Sequence, residues 1–280
     1  LGNKFLSHIR EVDAICQVVR AFDDDNVTHV SGRVDPVDDI EVINMELVLA
    51  DLESVEKRLP KAEKMAKQKD KDAVNEARIL ARIKEALEEG NPVRSLEFND
   101  EDQKFVNQAQ LLTSKEMLYI ANVGEDEIGD EDNEKVKLIR EYASKEDSEV
   151  IVISAKIEEE IATLEDEDRE MFLEDLGIEE PGLDRLIRTT YDLLGLATYF
   201  TAGVQEVRAW TFISGMTAPQ CAGIIHTDFE RGFIRAEVTS YDDYVEFNGE
   251  NGAKDAGKQR LEGKEYIMKD GDVVHFRFNV

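Results

Sequence analysis

The sequence predicts an α/β fold with an inserted helical hairpin, followed by a separate small α+β domain. Three observations carry that expectation. Short β-branched runs recur at 13–22, 117–123 and 149–154, and the last two are each followed by a charged segment of helical character, the alternation that makes parallel strands with covering helices. Between the first two runs the apolar residues switch to helical spacing. After residue 196 the chain turns to aromatic-rich segments that alternate in the strand period.

The elements follow in order. Asp-Ala-Ile-Cys-Gln-Val-Val-Arg-Ala-Phe at 13–22 suits a buried strand, as do Met-Leu-Tyr-Ile-Ala-Asn-Val at 117–123 and Glu-Val-Ile-Val-Ile-Ser at 149–154. Val48, Leu52, Val55, Leu59, Ala62 and Ala66 form a heptad seam. A polar stretch from Gln68 to Asp72 interrupts it. Ala73, Ala77, Leu80, Ile83 and Leu87 then resume a helical stripe until Gly90-Asn91-Pro92 stops it. Two helices joined by a short polar turn make an antiparallel hairpin, either packed inside the main domain or projecting as an arm; the narrow seam and charged outer faces favour the arm. After Pro181-Gly182 a helix through Leu194 leads to the last domain, whose strands at 207–212 and 273–278 are punctuated by glycine turns.

Charge limits the partners. The 280 residues carry 34 Lys and Arg against 63 Asp and Glu, a net −29, so the summed field repels phosphate and general DNA binding is excluded. Residues 197–280 hold only −4 of that, leaving −25 on residues 1–196. No apolar run approaches the length of a membrane-spanning helix, so no membrane partner is expected. Cys16 and Cys221 match no metal or redox spacing, and a reduced, cytoplasmic protein is the expectation. The chain opens at Leu1-Gly2-Asn3-Lys4 without an initiator Met, as expected of an internal stretch.

The chemistry concentrates at two strand ends. The second strand runs into Asn122-Val123-Gly124-Glu125 and the third into Ser154-Ala155-Lys156. Ligands of open parallel sheets bind outside the carboxyl ends of strands, so the two loops belong on one rim. An Asn amide suits the Hoogsteen edge of a purine, and a carboxylate three positions on accepts from ring and exocyclic N–H groups. The Ser-Ala-Lys loop offers a backbone N–H to the exocyclic atom and an aliphatic stem beside the base. Each motif alone is ordinary turn chemistry; in order, on successive strand ends, they form a nucleotide-base pocket.

From end to end the chain resembles the YchF subfamily of Obg-related P-loop NTPases. The resemblance is carried by Leu1-Gly2-Asn3-Lys4-Phe5-Leu6, which follows the family's switch II region, and by THVSGRVDPVDDIEVIN at 28–44. It continues in EDLGIEEPGLDRLIR at 174–188, YFTAGVQEVRAWTF at 199–212, HTDFERGFIRAEV at 226–238, NGENGAKDAG at 248–257 and DGDVVHFRFNV at 270–280. It implies a partial G domain at 1–42 and 115–196, a helical coiled-coil insert at 43–114, and a TGS domain of β-grasp type at 197–280. It also implies ATP or GTP with Mg²⁺ as ligands, and the ribosome or ribosomal RNA as a partner. Asn122, Val123 and Glu125 would hold the base, flanked by Ser154, Ala155 and Lys156. The family's phosphate loop, switch I and Asp-x-x-Gly segment should precede Leu1, and no G-x-x-x-x-G-K-[ST] occurs in these residues. The chain by itself is therefore expected to bind no Mg²⁺-nucleotide and to hydrolyse none at a useful rate. Where most G proteins have Asn-Lys-x-Asp, this chain has Val123 for the Lys and Glu125 for the Asp. The family accepts ATP, and physical reasoning supports relaxed guanine specificity.

Other residues have plainer readings. His8 and His275 are structural or solvated. His226 and Asp228 lack the third ligand that a metal site needs, and no metal is expected in this chain. His29 is a structural residue, or a catalytic, water-positioning one near the nucleotide rim. The acidic runs from Glu125 to Glu134 and from Glu158 to Glu170 are expected to be solvated helix faces. Lys254, Lys258, Arg260 and Lys264 are a soluble surface or an RNA and ribosome contact. Two functions are compatible with this pattern: a ribosome-associated ATPase or GTPase, and an interaction module that docks through the helical arm and the last domain.

Overall fold

The β-branched run Ala14–Arg20 forms strand β1, and the apolar run Glu116–Asn122 forms β2 beside it. The computed structural model describes residues 2–24, 26–29, 32–68, 70–129, 132–204 and 206–279. A third strand, β3 (Glu149–Ile153), completes a parallel sheet of order β1-β2-β3. Ala14 pairs with Glu116 through to Arg20 with Asn122, and Leu118 pairs with Glu149 through to Asn122 with Ile153. The central strand is buried on both faces, with Met117, Leu118, Tyr119, Ile120 and Ala121 no more than 3% exposed. A near-continuous apolar strand requires that double cover.

Helix α1 (Asn3–Arg10) precedes β1, and α2 (Pro36–Ala66) follows it. Asp35 caps α2 by accepting the Asp38 N–H at 3.2 Å, and Pro36 takes the first turn. Ile40 belongs to the sheet core, whereas Val48, Leu52, Val55, Leu59 and Ala62 pack with Ala77, Leu80, Ile83 and Leu87 of α3 (Lys71–Glu88). The expected domain boundary at 42/43 thus falls inside one unbroken helix, whose first turns cover the sheet and whose remainder builds the hairpin. Arg58 meets Glu76 and Lys84 meets Glu56, the opposed numbering of an antiparallel pair. In the turn, Asp70 caps α3; Lys69 lies outside the described residues. The seam does not end with the two helices: Val93, Leu96, Phe98, Val106 and Leu111, around α4 (Asp100–Ala109), share its core.

One buried carboxylate ties this region together. Asp51 of α2 is 0% exposed and accepts the Leu112 N–H at 2.9 Å, the Thr113 N–H at 2.7 Å and the Thr113 hydroxyl at 2.8 Å. Arg10 of α1 reaches it at 3.4 Å and also donates to Ser54 and to the Gln110 carbonyl. Burial pushes the Asp51 carboxyl up, and the surrounding donors oppose that rise.

After β2, α5 (Glu134–Lys145) lays Val136, Ile139 and Ala143 on the sheet. After β3 come α6 (Ala155–Ile161), α7 (Asp166–Asp175) and α8 (Gly182–Leu193). The first acidic run is not a helix face: 125–127 is a single 3₁₀ turn, and α5 starts only at Glu134. Its carboxylates are used locally, Glu127 accepting the Gly124 N–H and Asp132 pairing with Arg140. Asp130 and Glu131 of that run lie outside the described residues.

The chain divides into compact units at Leu1–Ile187 and Arg188–Val280, a division inside α8. In the last turn of that helix, which falls in the second unit, the Tyr191 hydroxyl bonds Thr211 at 3.2 Å. That unit contains β4 (Leu196–Ala202), β5 (Val207–Ile213), α9 (Ala218–Ile225), α10 (Thr227–Arg231) and β6 (Phe233–Ser240). It continues through α11 (Tyr241–Glu246), α12 (Glu250–Asp255), β7 (Arg260–Glu262) and β8 (Asp272–Phe278). Its sheet has the order β5-β4-β8-β6-β7, with β4 and β8 parallel and the other pairs antiparallel. Tyr199, Phe212, Phe233 and Phe276 pack around Ala218, Cys221 and Ala222 of α9, and burial pushes the Cys221 thiol up to about 12. Gly252 has a structural reason to be glycine, since a Cβ there would lie 1.8 Å from the Phe247 carbonyl oxygen. Among the described residues no helix is long and apolar enough to cross a membrane.

Asp51→Ala strands two buried backbone donors, so we expect the Leu1–Ile187 unit to lose about 3 kcal/mol of stability. Urea unfolding reads this directly; a loss well under about 1 kcal/mol would mean that the Leu112 and Thr113 amides find other acceptors.

Candidate functional site

Parallel pairing brings the carboxyl ends of β2 and β3 to one level. Asn122 lies opposite Ile153, and the Val123 N–H extends the pairing by donating to the Ile153 carbonyl at 2.8 Å. The two loops that start there are tied again by side chains. Asn122 Oδ1 accepts the Ala155 N–H at 2.9 Å, and Lys156 Nζ donates to Glu125 Oε1. Ser154 sits buried between them at the start of α6. All six residues line one cavity of about 570 Å³, together with Phe22, Asp24, Val27, Gly124, Asp126 and Glu159. That size is in the range of small-molecule sites, roughly 300–1,000 Å³.

The third wall comes from the loop after β1, which sequence reasoning did not assign. Arg20 staples it, donating to the carbonyls of Phe22 at 3.1 Å, Asp24 at 3.2 Å and Val27 at 2.8 Å. Its guanidinium also lies over the Phe22 ring, 4.5 Å from the centroid. The signal was available, because Arg20 and Phe22 leave a strand at the same rim as Asn122. Asp25 of this loop lies outside the described residues.

The cavity is acidic. Among the described residues, Asp23, Asp24, Glu125, Asp126 and Glu159 line it with Lys156 as the lining cation, and Lys135 pairs with Asp23 at 2.6 Å. The hydrogen bond to Glu125 raises the Lys156 ammonium above its ordinary value. Such a wall attracts N–H donors and repels phosphate. The Phe22 ring and the Lys156 stem add apolar surface for a planar base. One detail differs from expectation: the Ala155 N–H is already given to Asn122 rather than free for an exocyclic atom. Val123 is 4% exposed and shares the sheet core, in keeping with a clamp that lacks the aliphatic stem of the usual Lys.

Each remaining candidate has its own local setting within its unit. His29 bonds Asp39 at 2.9 Å and lines a different, mostly apolar cavity of about 630 Å³, bounded by Phe5, Ile15, Gln17, Ile43 and Leu47. His226 caps α10, its Nδ1 accepting the Asp228 N–H at 3.1 Å. His8 lies on α1 and His275 on β8. In the second unit Lys258 pairs with Asp243 at 3.1 Å, and Arg260 pairs with Glu262 at 3.2 Å and Asp272 at 3.5 Å. Lys254 and Lys264 are exposed. Glu237, Glu250 and His275 bring ligand atoms within 4.8 Å of one another. Arg277 already holds both oxygens of Glu237, at 3.1 and 3.0 Å, which opposes a cation there.

Comparison with known proteins follows the whole chain. A family model for the YchF-GTPase C-terminal region, described as "Protein of unknown function (DUF933)", matches residues 196–279. The chain is 68% identical to the ribosome-binding ATPase YchF of Bacillus subtilis and 53% identical to that of Escherichia coli O157:H7. Each match covers all of this chain and 77% of the relative. The solved structure of the Schizosaccharomyces pombe YchF GTPase superposes with a TM-score of 0.87 at 36% identity, covering 99% of this chain and 75% of that one. A GTP-binding protein from Pyrococcus horikoshii OT3 is similar in fold, with a TM-score of 0.62 at 21% identity, over 98% of this chain and 81% of that one.

Removing the side-chain tie between the two loops tests the geometry of the cavity. In Asn122→Ala the Ala155 amide loses its acceptor, worth about 1 kcal/mol, so its hydrogen exchange should quicken by roughly fivefold. Unchanged exchange at Ala155, read by NMR, would mean that backbone pairing alone holds the rim.

Proposed function

The chain belongs to the YchF family, and on that premise we propose that it carries the base-reading side of the nucleotide site of a ribosome-associated ATPase or GTPase. The observation that supports this best is the cavity in which Asn122, Val123, Glu125, Ser154, Ala155 and Lys156 all meet. Asn122 is oriented by Ala155, and its amide nitrogen suits N7 of a purine. Glu125 accepts from the base, and Phe22 offers it an aromatic wall. With the charged phosphate acceptors of a nucleotide the same cavity does not fit, because its surplus carboxylates would face them. Nor do these residues contain the G-x-x-x-x-G-K-[ST] loop that cradles phosphates and Mg²⁺. No hydrolytic step is therefore derived from these side chains, and we read the 280 residues by themselves as non-hydrolysing. His29, paired with Asp39 away from the base cavity, is read as a structural residue.

Residues 197–280 are read as a TGS domain of β-grasp type. The supporting feature is the strand order second, first, fifth, third, fourth, with a parallel central pair. The α2–α3 hairpin is read as the coiled-coil insert. A ribosomal partner accords with the names of the relatives and implies a cytoplasmic location. Docking through the second unit is the reading its charge favours, because it holds −4 of the −29. Lys258 and Arg260 are partly neutralised by neighbours, so Lys254 and Lys264 would contribute most to an RNA contact.

Two measurements test this assignment. Calorimetry of these 280 residues with ATP and with GTP should give weak binding that Mg²⁺ does not improve, since the charge-assisted phosphate contacts are missing; micromolar affinity for either would overturn it. Replacing Lys254, Lys258, Arg260 and Lys264 with Gln should weaken co-sedimentation with ribosomes and flatten its salt dependence. Equal sedimentation of variant and parent across a salt series would make this cluster a solvated face.

A further inference from the structure

The acidic balance of this chain reverses at one place. Residues 57–71, which close α2, make the connection and open α3, carry seven Lys or Arg against two Asp or Glu, a net +5 within a chain of −29. Lys61, Lys64, Lys67 and Lys71 are exposed there, and none has an ion-pair partner among the described residues. Other helical lysines are matched to carboxylates, Lys57 to Glu53, Lys84 to Glu88, Lys137 to Glu134 and Lys145 to Glu141. Carboxylates on the α3 side of the arm are engaged as well: Glu76 meets Arg58, Asp102 meets Arg78, and Asp70 caps α3.

Helix stability does not account for this row. Lys61, Lys64 and Lys67 follow at i, i+3 and i+6, so they are neighbours on one flank and repel one another. They point away from the seam that Val55, Leu59 and Ala62 form with α3, so their stems serve no core. The dipole of α2 favours cations in its last turn, but Lys71 opens α3, where a cation is disfavoured.

The chemistry of the row suits phosphate, for which a lysine ammonium is a compact point charge. Protein interfaces are depleted in Lys and enriched in aromatic residues, and residues 56–74 contain no aromatic side chain. Single-stranded RNA also asks for stacking surfaces. The backbone of double-stranded RNA asks only for charge in register, without reading of sequence. The acidic remainder of the unit does not cancel the attraction. At 1.5 Å per residue, Lys64 stands about 36 Å along α2 from Ile40 in the sheet core, roughly four Debye lengths at physiological salt.

We propose that the end of the α2–α3 hairpin is an RNA contact, in which Lys61, Lys64, Lys67 and Lys71 bind backbone phosphates of double-stranded RNA. This rests on the ribosomal-partner reading and adds to it a docking surface on the first unit.

The experiment compares the 280-residue protein with two triple variants of equal net charge. One replaces Lys61, Lys64 and Lys67 with Gln; the other replaces Lys104, Lys137 and Lys145, which are exposed on α4 and α5. Gln matches Lys in helix propensity, and circular dichroism checks the fold. Binding to a labelled 24-base-pair RNA duplex is followed by fluorescence anisotropy across a salt series, beside co-sedimentation with ribosomes. The Lys61, Lys64 and Lys67 variant should bind the duplex roughly tenfold more weakly at low salt, with a salt slope shallower by about two to three, and should sediment less. The second variant should behave as the parent. If the parent binds neither duplex nor ribosomes, the ribosomal reading falls, and this proposal with it. If the parent sediments with ribosomes and the Lys61, Lys64 and Lys67 variant sediments equally, the arm is not the contact, although the ribosomal reading stands. Equal weakening in both variants would reduce the effect to net charge and overturn the proposal. Sedimentation lost in the first variant, with no duplex binding by the parent, would replace RNA with a protein surface as the partner of the arm.

Discussion

The parallel pairing of β2 with β3 is the constraint on which the rest of the site depends. It places Asn122 opposite Ile153, so that the loops from Val123 and from Ser154 leave the sheet together. A slip of one residue would turn every side chain of β3 to the opposite face. It would also separate Asn122 from the Ala155 N–H. The apolar burial of β2 on both faces is what makes that register costly to change. β1 adds the third loop by the same logic, with Arg20 paired to Asn122 and stapling the chain from Phe22 to Val27.

Charge is handled in two ways in this molecule. Most of the −29 is spread over solvated carboxylates, where single ion pairs contribute little. Asp51 is the opposite case, a fully buried carboxylate that terminates three hydrogen bonds from the 112–113 segment and meets Arg10. Through it α1, α2 and the chain leading into β2 are joined at one point. The cavity at the rim lies between these extremes, with Asp23, Asp24, Glu125, Asp126 and Glu159 gathered on one lining, close enough to set the sign of what enters.

Much of the architecture was legible along the chain. Periodicity located the three parallel strands, because β-branched runs bounded by charged segments have few other solutions. It also located the hairpin seam, in which Val48, Val55, Ala62, Leu80, Ile83 and Leu87 are all buried. Periodicity could not locate the ends of domains. Helix α2 serves the sheet with Ile40 and the hairpin with Val48 onward, and no residue between them signals a break. The run from Glu125 to Glu134 looked helical by composition, yet local hydrogen bonds to Gly124 and Arg140 hold much of it as a turn and loop.

The sequence by itself determined which residues would stand at the strand ends, because Asn122, Glu125 and Ser154-Ala155-Lys156 follow directly from where apolar runs stop. It determined the sign of the surface and the contrast between the two parts of the chain. Only the tertiary structure decided how those residues divide their hydrogen bonds. That Ala155 gives its N–H to Asn122, that Lys156 takes one oxygen of Glu125, and that Val123 turns into the core are consequences of neighbours 31 to 33 positions apart for the two bonds and of the sheet packing for Val123. Phe22 and Arg20 joined the site for the same reason. Spacing along a chain reports periodicity, whereas a hydrogen-bond partner is chosen by distance in space, and that distance exists only after the strands have paired.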